Sequence, residues 1–231
     1  MGTAIVAKRP VADLVLQALP HSLILSGFAL LFFTVLGIAL GVVTALNRDS
    51  VLDQTIMCGV LLGPTVPIFW LGLLLMLAFS VQVGWFSVSG ARGWSSLLLP
   101  VLTIGLGGMA LVARVTRVAM IEAAQRDFLL LLHARGMHSM RIQLRRLRHA
   151  LIPMVTILTF RIGWVLGGAV TVEVVFARSG LGTLFIKSLN QYDYPVAQAC
   201  LLLLAMVVML GTFLGDILQA AVVPHVPAAL H

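Results

Sequence analysis

The sequence predicts an all-α fold: a polytopic bundle of transmembrane helices with five spans. Two observations carry that prediction. Sixty per cent of the 231 residues are hydrophobic and only 10% are charged, far from the balance of a soluble domain. The apolar residues also gather into five runs near the roughly 20 residues that a helix needs to cross a hydrocarbon core of about 30 Å. Alternation with a period of two is absent, which argues against a membrane β-barrel.

The first run extends from Ser22 to Leu46 and the second from Ile56 to Val83. Inside the second, Pro64 and Pro67 each remove a backbone donor and predict a kink. Such a kink is either plain structure or the lining of a pathway, where a cavity satisfies the freed carbonyls. Trp85 and Trp94 flank the following loop as interfacial aromatics would, while Trp70 lies deeper. The remaining runs are Leu97 to Ala113, Leu151 to Phe176 and Val196 to Val222. Gly37 with Gly41, Gly59 with Gly63, Gly163 with Gly167, and Gly211 with Gly215 stand four apart. Small residues at that spacing let membrane helices approach closely. Cys58 and Cys200 fall inside apolar runs, where an unpaired thiol behaves as a small hydrophobe.

The net charge of +7 could suggest a nucleic-acid partner, but it is not spread over a soluble face. Arg114, Arg117, Arg126, Arg135, Arg141, Arg145, Arg146 and Arg148 supply eight of the fifteen basic residues. A basic loop between apolar runs stays on the cytoplasmic side, so the expected partners include membrane lipid and no nucleic acid. Five spans then leave the N-terminus outside and the tail after Val222 inside. The resulting division is an extracytoplasmic 1–21, a transmembrane domain over 22–222 with its basic loop at 114–150, and a cytoplasmic tail over 223–231. Residues 1–21 lack the pattern of a cleaved signal. Within the basic loop, Ile121 to Ala134 reads as one helix, Gly136 as a break, and His138 to Ala150 as a second helix running into Pro153. Met140, Leu144, Leu147 and Leu151 mark its apolar face beside Arg141, Arg145 and Arg148.

The run from Gln125 through Pro153, with RDF, HARGM and the closing HALIP, resembles the cytoplasmic coupling loop of permease subunits in bacterial ATP-binding cassette (ABC) importers. VTILTFRIGWVLGGA from Val155, Glu173 to Phe176 with Gly180 to Gly182, and Asp193 to Val196 with Gln198 resemble the dipeptide, oligopeptide and nickel branch. Arg9 to Val11 with Leu19 and Pro20, PIFWLGLLLMLAF from Pro67 and VGWFSVSG from Val83 follow the same order. The resemblance implies the type I importer permease fold in the bacterial cytoplasmic (inner) membrane. It implies a second permease subunit as heterodimer partner, two ATP-binding subunits and an extracytoplasmic substrate-binding protein. It also implies coupling through the 121–153 loop, with Asp127, Ala134, Arg135, Gly136, Met137 and Pro153 at the ATPase contact. The branch usually has six spans, and this chain begins within the stretch that follows the first. A missing first span is therefore expected, through a misassigned start, a frameshift or a real truncation. Ser179 stands where the branch usually has proline, and His225 where arginine is common.

The candidate pathway residues are Pro67, Arg161, Glu173 and Asp216. A charge at the depth of Arg161 marks either a cavity or a partner, so it meets a substrate carboxylate through its planar fork or pairs with Asp216. Glu173 reads as an interfacial carboxylate or as a contact for a substrate amine. His133 and His138 are five apart, roughly 140° around a helix, and do not share a metal. Gly105, Gly107 and Ala110 satisfy a dinucleotide pattern with no preceding strand. No phosphate-binding loop is present, so the expectation is that this chain binds no cofactor and that partner subunits bind ATP.

An intramembrane protease would need a nucleophile with a base, or paired aspartates, at bilayer depth. The spans offer scattered Ser and Thr with Asp216 alone. The expected function is non-enzymatic: a permease for di- or oligopeptides that forms half of a translocation pathway. The alternatives are a nickel or metal-chelate permease, and a non-transporting remnant of such a permease.

Overall fold

The computed structural model describes residues 2–84, 95–125 and 139–222. Seven α-helices occur among them: α1 (Val11–Leu46), α2 (Val51–Thr65), α3 (Ile68–Met76), α4 (Ser95–Ala124), α5 (Ser139–Val175), α6 (Leu181–Asn190) and α7 (Tyr194–Val222). Four of them, α1, α4, α5 and α7, are long and apolar enough to cross a membrane, and α2 with α3 forms a broken fifth span.

The first helix starts eleven residues earlier than the first apolar run, so Val11 to His21 is continuous with the span. Pro20 lies inside it and leaves the carbonyl of Leu16 without its helical donor. Leu16 is exposed, so that carbonyl is free to meet solvent. Before α1, Thr3 and Pro10 form a β-bridge and the Val6 N–H donates to Asp193 Oδ2 at 3.1 Å. Ala4, Val11 and Val15 then bury against Leu181, Val196 and Cys200. Thus the N-terminal segment, α6 and the start of α7 share one end of the bundle. Ala45, Met120 and Ala150 close the other end, which carries the α1/α2 turn and the ends of α4 and α5 that flank the basic loop. With that loop in the cytoplasm, the first end is extracytoplasmic.

The main core joins Leu25, Ala29 and Phe33 of α1 to Leu99, Ile104 and Val112 of α4 and Met154, Val165 and Val172 of α5. The four glycine pairs divide in their use. A Cβ on Gly37 would lie 2.7 Å from Val112 Cβ, and one on Gly41 would lie 2.6 Å from the Ala113 carbonyl, so this pair lets α1 lie against α4. Gly211 and Gly215 accommodate Ile162 and Thr159 of α5 at 2.6 Å. Gly63 abuts the Leu106 carbonyl, but Gly59 and Gly167 meet nothing and Gly163 makes an ordinary contact.

Two sequence expectations change. The helix expected to end near Pro153 and the fourth span are one 37-residue helix, α5, with Pro153 in its interior. Its buried cytoplasmic face is Ile142 with Ala150, whereas Met140 and Leu144 are exposed. The second span is more than kinked: α2 and α3 meet at 106°. Val66 is extended and Pro67 starts α3, which passes at Leu77 into a π-helical turn to Gln82.

Candidate functional site

The break between α2 and α3 opens a cavity of about 530 Å³. Gly63, Pro64, Val66, Pro67 and Ile68 form one wall, and Arg161, Trp164, Gly167 and Thr171 of α5 form another. The physical cause lies in the prolines. Pro67 has no N–H to give the Gly63 carbonyl, and the chain turns away where the helical ladder fails. The first N–H groups of a helix have no intrahelical partner, and at the start of α3 no side chain caps them. The cavity is therefore lined with backbone polar groups as well as apolar side chains.

Arg161 lies eight residues past Pro153, about 12 Å along the span by the helical rise. Its guanidinium carbon stands 4.6 Å from the Trp164 ring centroid, a cation–π distance. Its buried Nε has no hydrogen-bond partner. The ring is admitted by Gly107, where a Cβ would come within 3.3 Å of it. Arg161 and Pro67, chosen separately from sequence, thus face one space.

The other two pathway candidates do not reach it. Asp216 is exposed on α7, and the ion pairs among the described residues are Arg48–Asp49 and Arg117–Asp53. Glu173 is 1% exposed, with its carboxylate held by partners from α1 and α6. Ser22 Oγ donates to its Oε1 at 2.5 Å, and the Gly182 N–H donates to its Oε2 at 2.8 Å. Ser22 Oγ in turn accepts the Leu181 N–H at 2.8 Å. A Cβ on Gly180 would lie 2.3 Å from that carboxylate, so the glycines after the Ala177 turn make room for Glu173. Arg178 nearby donates to Ser96 at 3.3 Å, and burial pushes its guanidinium pKa down while the Glu173 charge opposes this.

At the cytoplasmic end Asp53, 2% exposed, receives Arg117 through Nε at 2.8 Å and Nη2 at 2.5 Å. The Asp49 N–H also donates to it, and its own N–H is capped by Ser50. The sequence analysis did not single out Asp53. The signal was Ser50 three residues before an acid, a helix-capping pattern, with Arg117 at the start of the basic loop able to supply a counter-charge. Arg146 donates to the Met120 carbonyl and Gln143 there, and burial lowers its pKa. Among the ATPase-contact candidates, Asp127, Ala134, Arg135, Gly136 and Met137 lie outside the described residues, and Pro153 lies within α5.

Five apolar spans, the second of them broken, define a polytopic helical membrane bundle, and the solved structures agree on the fold. The chain matches the MetNI methionine ABC transporter, solved in inward-facing conformations, with a TM-score of 0.78 over 93% of this chain and 99% of that one, at 23% identity. An amino acid ABC transporter solved with histidines matches with a TM-score of 0.66 over 96% and 98%, at 16% identity. Residues 37–227 match the family described as the binding-protein-dependent transport system inner membrane component. The chain belongs to that family. It is 37% identical over 98% of its length to 74% of the glutathione transport system permease protein GsiC of Pectobacterium atrosepticum, and 35% identical over 97% to 74% of GsiC of Escherichia coli K12. It is a multi-pass permease component of an ABC importer in the cytoplasmic membrane, works with other subunits of that transporter, and is not itself an enzyme.

Proposed function

We propose that this permease carries small peptides. It forms half of the pathway with a second permease subunit, receives substrate from an extracytoplasmic binding protein and follows two subunits that bind and hydrolyse ATP. The observation that carries the reading is its 37% identity across nearly the whole chain to a permease named for the transport of glutathione, a tripeptide. A cavity of about 530 Å³ beside Arg161 supports it, because sites for small ligands fall near 300–1,000 Å³.

Coupling runs through the 121–153 loop. Its flanks support this: α4 and α5 are rigidly joined around Met120 and Ala150, while Met140 and Leu144 stay exposed at the start of α5. A docked loop on a moving ATPase biases the bundle between two states through that rigid pair. Gly136→Leu is therefore expected to uncouple the importer. In proteoliposomes holding the full set of subunits, ATP hydrolysis should persist while uptake of radiolabelled glutathione is lost. Unchanged uptake in that variant would remove the loop from the coupling path, and absence of glutathione uptake by the wild type would remove that tripeptide as a substrate.

A further inference from the structure

Arg161 carries a permanent charge at bilayer depth, where ionised groups face a cavity or a partner. The acidic residues of the described chain offer it none. Asp13 and Asp193 belong to the extracytoplasmic end, and Asp49 and Glu122 to the cytoplasmic end. Asp53 is held by Arg117, Glu173 by Ser22 and Gly182, and Asp216 is exposed on α7. The Trp164 stack holds the guanidinium against the cavity wall, so the side chain does not extend along the helix toward the headgroups. Across the cavity lies the start of α3, which no side chain caps, the positive end of a broken helix. Two sources of positive potential thus line one space of peptide size. The space beside Gly167 is open, because a Cβ there would touch nothing within 4 Å.

We propose that this cavity is a carboxylate subsite: the C-terminal carboxylate of a translocating peptide supplies the counter-charge that the described residues do not, and Arg161 reads it through its planar fork. The assignment rests on the peptide-permease reading above. Arg161 then makes the permease itself selective for anionic peptide ends, beyond any choice made by the binding protein. The charge-assisted bond forms only while the substrate passes.

The test uses the full importer in proteoliposomes and compares uptake of trialanine with trialanine amide, with one binding protein throughout so that its own preference cancels between wild type and variants. The wild type is expected to favour the free acid. Arg161→Gln should slow trialanine by roughly tenfold or more, the scale of a lost hydrogen bond to a charged group, and leave the amide rate where it was. Arg161→Lys keeps the charge and the stem over Trp164, so part of the preference should survive. Gly167→Leu fills the open space and should slow both peptides. An equal slowing of both peptides by Arg161→Gln with the preference intact in Arg161→Lys, or a preference unchanged in both variants, would overturn the subsite and leave peptide import standing. A wild type that carries neither of these peptides nor glutathione would overturn peptide import as well.

Discussion

Glu173 and Ser22 are 151 residues apart in sequence, and their hydrogen bond ties α1 to α5, while the Leu181 N–H on the same hydroxyl adds the start of α6. A buried carboxylate is tolerated only when its lone pairs are filled, and Ser22 with the Gly182 N–H fills both oxygens. Ser22→Ala is expected to cost about 1–3 kcal/mol, the penalty for leaving a buried polar group short of a partner, read as a lower thermal midpoint in detergent. Gly182→Val should cost more, since a Cβ there would lie 2.5 Å from the Val170 backbone. A wild-type midpoint for both variants would mean that Glu173 is not the tie described. From sequence, Glu173 stood out as a charge near a span end, but its partners come from two distant segments and no local pattern pairs them. Arg161 was more legible, because a lone arginine deep in an apolar run has few explanations. Its exclusion from pairing with Asp216 required the relative rotation of α5 and α7.

At the scale of elements, the break in the second span follows from Pro64 and Pro67, which were plain in the sequence. The 106° angle was not, because proline permits a bend whose size is set by what packs on either side. The glycine pairs teach the same lesson. Spacing by four marks helices able to approach, but only packing decides which pairs do. Gly41→Leu is expected to separate α1 from α4, since its side chain would enter the Ala113 carbonyl and Thr116. Gly59→Leu meets open space and should be tolerated. Overpacking of this kind costs about 1–3 kcal/mol or more, so the check is the yield of monodisperse protein by fluorescence-detected size exclusion. Equal yields for the two variants would contradict the packing. Pro153 misled as a boundary because α5 continues through it, and a helix interior absorbs one proline when neighbours satisfy the freed carbonyl.

At the scale of the whole molecule, hydropathy and the basic loop were enough for five spans, a helical fold and a proposed orientation, and the order of motifs was enough for the family. The arrangement of helices around the Pro67 break was beyond them, because it depends on contacts between segments far apart in sequence. The molecule also leaves much apolar surface uncovered: along α7, Leu202, Met209 and Phe213 are each at least 60% exposed, as expected where lipid or another subunit replaces water. A permease of this family acts only in an assembly, so its state of association tests the account most directly. The measurement is the intact mass of every polypeptide that remains with the tagged chain after gentle detergent extraction from its native membrane. The account predicts a second permease and a pair of ATP-binding subunits in one complex with it. Recovery of this chain alone, from membranes in which those subunits are present, would contradict it.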